Sequence, residues 1–269
     1  MRAFGFLYCG LMAAFLLAPA LALIPMSFGD GIVPELPPRA LSLGQYRAFL
    51  GSEEWLGSLA TSVRIALATA AAATALGTMA AFGLVRGAFG GKGAAGTLLL
   101  APRFVPAIIA ALGFYALFAR LHIVGTEGAL VLAHTIIAAP YVVIVVAASL
   151  RGFDRSLERA SQSLGAGPFR TTLRITLPLL RPAVLSAALI AFIISFDEIV
   201  VAIFISGTRV STLPKRMWDS LVYEMEPTLP AISTLILLTT AFVFILAGWA
   251  RQSAARLSAG RNSPKGETL

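Results

Sequence analysis

Two adjacent carboxylates, Asp197 and Glu198, stand inside a run of apolar residues that extends over 182–206. An ionised carboxylate in hydrocarbon surroundings is costly. It is found facing a bundle interior, a water-filled passage or a partner charge. The chemistry such a group offers is recognition of a cation. Counted from Pro182 at about 1.5 Å per residue, both lie beyond the midplane of a membrane helix. Neighbouring residues on a helix point about 100° apart, so one carboxylate can line a passage while the other meets an adjoining helix. Ser195 is the third polar group of this stretch and is grouped with them as a candidate pathway residue. The competing reading is a structural pair with Arg64, with Arg103 or with a partner subunit.

Little else in the chain has the spacing that chemistry requires. A lone histidine in an apolar stretch, His134, reads as an interhelical hydrogen-bonder rather than a ligand. His122 sits in a short connection. Arg103, between Pro102 and Pro106, is placed to snorkel toward an interface. One cysteine, Cys9, cannot form an internal disulfide, and no zinc-type spacing is present. Gly90-Gly91-Lys92-Gly93 lacks the glycine spacing of a phosphate loop and the Ser or Thr after its lysine. ATP hydrolysis by this chain is therefore not expected. His-Glu-x-x-His and Gly-x-Ser-x-Gly are both absent, so no catalytic residue, metal or cofactor is assigned to it.

The elements that must position these groups are written in the composition. Of 269 residues, 58% are hydrophobic and 13% charged, against about a quarter charged in an ordinary soluble domain. Mean hydropathy is +0.84. The apolar residues fall in runs of about twenty, the length needed to cross a hydrocarbon core of roughly 30 Å, and not in the short alternating segments of a barrel. Six helical spans are expected, over about 4–28, 58–85, 96–118, 128–150, 182–206 and 229–250, in a single transmembrane domain covering 1–269. The first has a rival reading as a signal peptide, from Arg2 and Ala20-Leu21-Ala22, but its length and the continuation through Pro25 and Phe28 favour a retained span. With the N-terminus in the cytoplasm, thirteen of the 21 Lys and Arg lie on the cytoplasmic side and six outside, as the positive-inside rule requires. The net charge of +8 is then mostly a topology signal and does not point to nucleic acid. Segment 29–57, with Leu43, Tyr46, Phe49, Leu50 and Trp55, is expected along the outer interface. The tail over 251–269 is polar.

The longest cytoplasmic connection runs over 151–181. Leu157, Ala160 and Leu164 share one helical stripe, and Asp154 or Ser156 can cap its start. Gly165 and Gly167 permit a sharp turn, and Pro168 can begin a second helix. Phe169, Leu173 and Leu177 form a second stripe, ended by Pro178 and Pro182. Two short amphipathic helices around a glycine turn are predicted, and such an element transmits force only if a partner grips it.

Glu158-Arg159-Ala160, Leu164-Gly165-Ala166 and Ile175-Thr176-Leu177-Pro178 resemble the EAA loop of type I ABC-importer permeases. The match departs at Arg159, where that family usually has Ala. Leu59 to Ala66 and Leu76-Gly77-Thr78 resemble the family's second span. His134 with Pro140, Gly152-Phe153-Asp154, Ser195 to Val201 and Thr212-Leu213-Pro214 are similar to the polyamine-type subgroup. The resemblance implies an all-α membrane permease fold in the bacterial inner membrane, with both termini cytoplasmic. It also implies partners: a pair of ATPase subunits holding ATP and magnesium, a second permease subunit, an external or periplasmic solute-binding protein, and the lipid bilayer. The ATPase-docking residues it implies are Leu157, Glu158, Arg159, Ala160, Leu164, Gly165, Ala166 and Phe169. The solute would be a polyamine or a related cationic or organic solute. The alternative is a stand-alone secondary transporter or channel that uses Asp197 and Glu198 for ion coupling.

Overall fold

The apolar runs do become helices. The computed structural model describes residues 2–31, 35–224 and 226–241, and among them no strand forms beyond a single bridge between Gly29 and Leu41. Three helices are long and apolar enough to cross a bilayer unaided: α1 (Arg2–Met26), the helix Glu53–Arg86, and the helix Glu127–Arg151. A short helix, α2 (Gly44–Gly51), precedes Glu53–Arg86, which is therefore α3. By their internal packing the residues fall into two compact units, Met1–Leu56 with Met217–Leu269, and Gly57–Arg216.

In the first unit α1 exposes Phe6, Phe15 and Leu16, the surface of a helix meant for lipid. Ser27 and Tyr46 share a hydrogen bond of 2.6 Å, and Gln45 Nε2 donates to the Gly29 carbonyl at 2.7 Å. The segment expected to lie along the outer interface is partly turned inward. Leu43 and Leu50 are exposed, but Phe49 and Trp55 are buried with their ring centroids 6.3 Å apart. Trp55 Nε1 donates to Glu226 at 3.1 Å, and Ser220 donates to the same carboxylate at 2.9 Å. An indole with its N–H satisfied can be buried without penalty, which is why this amphipathic stretch packs on protein. The closing helix is described over Leu229–Ala241. The remainder of the sixth expected span and the polar tail lie outside the described residues.

The second unit holds the candidate site. The third expected span is two helices, α4 (Lys92–Leu100, extended by a tight turn Ala101–Phe104) and α5 (Ala107–Arg120), set at 103° to each other. The expectation of one span over 96–118 is corrected here. Pro106 forces the residue before it out of helical geometry, and Val105 is extended (φ −80°, ψ 126°). By contrast α6 (Glu127–Arg151) runs through Pro140 unbroken; Pro140 is buried among neighbouring elements that can support it there, while Leu132, Ile136 and Ile144 leave one face of the helix exposed. Thr126 caps α6 by accepting from the Ala129 amide at 3.2 Å. After α6 come α7 (Arg155–Ser163), α8 (Pro168–Leu179, with a wide π turn at Thr172–Thr176), α9 (Arg181–Phe196) and α10 (Val200–Ile205). The fifth expected span is thus α9 plus α10, interrupted at Asp197–Ile199. The bend of 72° between α8 and α9 falls between Pro178 and Pro182, as predicted.

Two apolar clusters hold this unit. One joins Ile65 of α3 to Phe118, Leu130, Val201 and Ile205. The other is built largely from alanines of α3, α6 and α9, with Val142 and Val146. Small residues let membrane helices approach closely, where dispersion contacts replace the hydrophobic drive that lipid cannot provide. Gly77 is the tightest case: a Cβ there would lie 2.7 Å from Val142 Cβ.

Candidate functional site

The loop expected to dock an ATPase is built from local rules. Asp154 opens α7 by accepting from the Ser156 amide at 2.8 Å and the Ser156 hydroxyl at 2.6 Å. The Ser156 hydroxyl, then its amide, then the charge of Arg159 hold the Asp154 carboxyl below the usual carboxylate range. At the other end the Gly165 amide donates to the Gln162 carbonyl (2.9 Å) and the Ala166 amide to the Ser161 carbonyl (3.1 Å). This crossed pair is a Schellman stop, which requires a left-handed residue, and Gly165 has φ +84°. Gly167 keeps a negative φ (−65°) and precedes Pro168 at the start of α8. The predicted turn therefore depends on one glycine, not two.

The eight residues expected to dock do not point one way. Leu157, Ala160, Leu164 and Phe169 are exposed, Leu164 by 89% and Phe169 by 77%, and Leu173 continues the same apolar surface. Arg159 is exposed and Ala166 half-buried. Glu158 is turned to the protein. Its Oε1 accepts from Arg86 at 3.1 Å and from the Thr176 hydroxyl at 3.0 Å. Only 16% of the Glu158 side chain and 19% of that of Arg86 meet solvent. One carboxylate thus fastens α7 to the last turn of α3 and to α8, while Ser161 and Thr171 add a hydrogen bond of 3.1 Å. α3 has 34 residues, about 50 Å of helix, so its end stands beyond a roughly 30 Å hydrocarbon core and can reach the loop. Residue-by-residue reading of the loop missed Arg86 and Thr176; Arg86 lies 72 positions away, and no local spacing announces it.

At the interrupted fifth span the three pathway candidates also separate. Ser195 is buried and shares a hydrogen bond of 2.9 Å with His134 Nδ1, so α9 is clamped to α6 just before the interruption. Glu198 is half-buried, and its Oε1 accepts from the Val201 amide at 3.0 Å, closing the first turn of α10. Asp197 ends α9 and is exposed, with no hydrogen bond or ion pair among the described residues. The basic residues proposed to pair with these carboxylates are engaged elsewhere. Arg64 binds Glu127 at 2.7 Å, and the Arg103 guanidinium lies 5.5 Å from the centroid of the Tyr141 ring, a cation–π distance. No group of three or more His, Cys, Asp or Glu side chains is arranged for a metal among the described residues.

Residues 73–258, which include the docking loop and both carboxylates, match the family described as the binding-protein-dependent transport system inner membrane component. The chain belongs to that family. The permease is 36% identical over 240 residues to the putrescine transport system permease protein PotI of Escherichia coli (strain K12), covering 87% of this chain and 85% of that protein. It is 31% identical over 233 residues to the spermidine/putrescine transport system permease protein PotC of Haemophilus influenzae, covering 87% and 90%. Its fold is that of ABC-importer membrane subunits. A chain of a bacterial ABC transporter that imports the acidic polysaccharide alginate superposes with a TM-score of 0.73 at 15% identity, over 92% of the permease and 96% of that chain. A chain of the inward-facing MetNI methionine ABC transporter gives 0.60 at 17% identity, over 77% and 98%.

Proposed function

We propose that this permease is the membrane subunit of an ATP-driven importer for a small organic cation of the polyamine class. The observation that carries the reading is the division of labour in the loop: an apolar surface turned outward, and one carboxylate turned inward to fix it. Exposed apolar side chains on a short polar helix at the end of a span mark a protein interface. In this reading Leu157, Ala160, Leu164 and Phe169 seat in a separate ATPase subunit that carries ATP and magnesium. Glu158 makes α7 rigid with α3, so that motion of the ATPase pair becomes motion of the span. A second permease subunit completes the passage, and an external binding protein delivers the solute. The loop and both termini face the cytoplasm, in agreement with the charge asymmetry.

The cationic solute is supported by the named relatives and by Asp197. Among the three candidates Asp197 alone has an exposed carboxylate not committed to the fold, and it is the residue assigned to meet the solute. Ser195 and Glu198 shape the break that presents it. The deciding experiment reconstitutes the permease with its cognate ATPase and binding protein in liposomes and follows uptake of labelled putrescine. ATP-dependent uptake that vanishes without the ATPase is expected. Uptake by the permease alone, driven by an ion gradient, would overturn the proposal in favour of a stand-alone transporter.

A further inference from the structure

At the docking-loop end of the second unit, a groove of about 580 Å³ lies between α3, α4 and α6, within the size range of ligand sites. Its walls are apolar: Leu84, Leu100, Val143, Ile144 and Ala147. Gly93 and Gly96 also line it, and a Cβ at Gly93 would meet nothing within 4 Å. Among the described residues the only charged ones lining it are Lys92 and Arg151, and both sit at helix ends: Lys92 opens α4 and Arg151 closes α6. The Lys92 ammonium donates to the Gly87 carbonyl at 3.0 Å and to the Val85 carbonyl at 3.5 Å. An ammonium has three donors, so one is left for a ligand. Neither Lys92 nor Arg151 forms an ion pair among the described residues, whereas nearby Arg86 is neutralised by Glu158.

An apolar slot with a cationic rim at the end of membrane helices fits an amphiphile with an anionic head. We propose that this groove binds an anionic phospholipid, with an acyl chain along Leu84, Leu100 and Ile144 and the phosphate against Lys92 and Arg151. A cationic solute is excluded as its occupant, because both rim charges repel it. The site is independent of the transport reading above. It gives the α3 end, which carries Arg86, a lipid that steadies it against α6.

The test titrates the detergent-purified complex of permease and partner subunits with fluorescent phosphatidylglycerol and, separately, fluorescent phosphatidylcholine. A preference of roughly thirtyfold for the anionic lipid is expected, the order that two interfacial cations provide. Lys92→Gln/Arg151→Gln should remove most of it. Arg151→Gln alone, which breaks no hydrogen bond or ion pair among the described residues, should remove several-fold and serves if the double variant fails to assemble. Ala148→Trp, which fills the groove without changing charge, should weaken both lipids. Arg170→Gln/Arg174→Gln should leave the preference intact, separating this groove from general attraction to the basic loop. The proposal is overturned if the preference survives Arg151→Gln undiminished, if Ala148→Trp leaves the binding of both lipids unchanged, or if inorganic phosphate displaces phosphatidylglycerol completely. It is also overturned if cysteines at Ile144 of two permease copies cross-link, which would show that a second permease covers the groove.

Discussion

Glu158 and Asp197 are both carboxylates at the edge of a helix, and the molecule treats them oppositely. Glu158 is mostly buried and accepts from Arg86 and Thr176. Asp197 is exposed and binds nothing among the described residues. Glu198, next to it, is used by the backbone. The difference separates a charge that holds the fold from a charge left available. Removing the first leaves Arg86 a largely buried cation without its counter-charge. Removing the second breaks no hydrogen bond or ion pair among the described residues.

The largest effect should therefore follow Glu158→Ala. A destabilisation of about 2 kcal/mol is expected, below the range for a fully buried pair because some solvent reaches both groups. ATP hydrolysis by the assembled complex should persist while putrescine uptake collapses. A double-mutant cycle with Arg86→Ala should return a coupling energy of about 1 kcal/mol or more; additivity within error would show that the two residues do not act together. Next, Asp197→Asn should raise the half-saturating solute concentration about tenfold, equivalent to about 1.4 kcal/mol, with thermal stability unchanged. Glu198→Gln should do the reverse, costing a few tenths to 1 kcal/mol of stability and leaving apparent affinity alone. If these two profiles are exchanged, the assignment of roles is wrong. A smaller effect attaches to Gly165→Asp. Its Cβ meets nothing within 4 Å, so the cost is that of the left-handed backbone, roughly 1 kcal/mol, read as faster amide exchange at Ala166 and looser coupling. The smallest concerns pH. Asp154 is held below its ordinary range in the folded chain, so its contribution is present above the unfolded pKa and lost as pH falls through the folded one. Amide exchange at Ser156 should accelerate in that acidic window, and Asp154→Asn should flatten the profile.

Much of this was readable in advance, and what was not has a common cause. Apolar runs located the spans, and periodicity with Gly165 and Pro168 located two loop helices, because those signals are local. The inward face of Glu158 was not readable. The family resemblance grouped it with Leu157 and Ala160 as a docking residue, and its partner Arg86 is 72 residues away. His134 was readable as an interhelical hydrogen-bonder, but its partner Ser195 lies 61 residues away and no local spacing identifies it. The break at Val105 was readable in principle. The expected span over 96–118 passes through Pro102 and Pro106 as α6 passes through Pro140, and the sequence does not reveal that α6 is supported by packing at its proline while the α4–α5 segment is not.

The near-contact of Gly77 with Val142 has a mechanical consequence. With a backbone seated against a side chain, α3 and α6 have no clearance to slide past one another at that level. In the proposed mechanism, a stroke entering through Arg86 and Glu158 turns the two helices together, like a single beam. The compliance in that reading sits where the helices are already interrupted: around Val105, around Asp197 and at the 72° bend between α8 and α9.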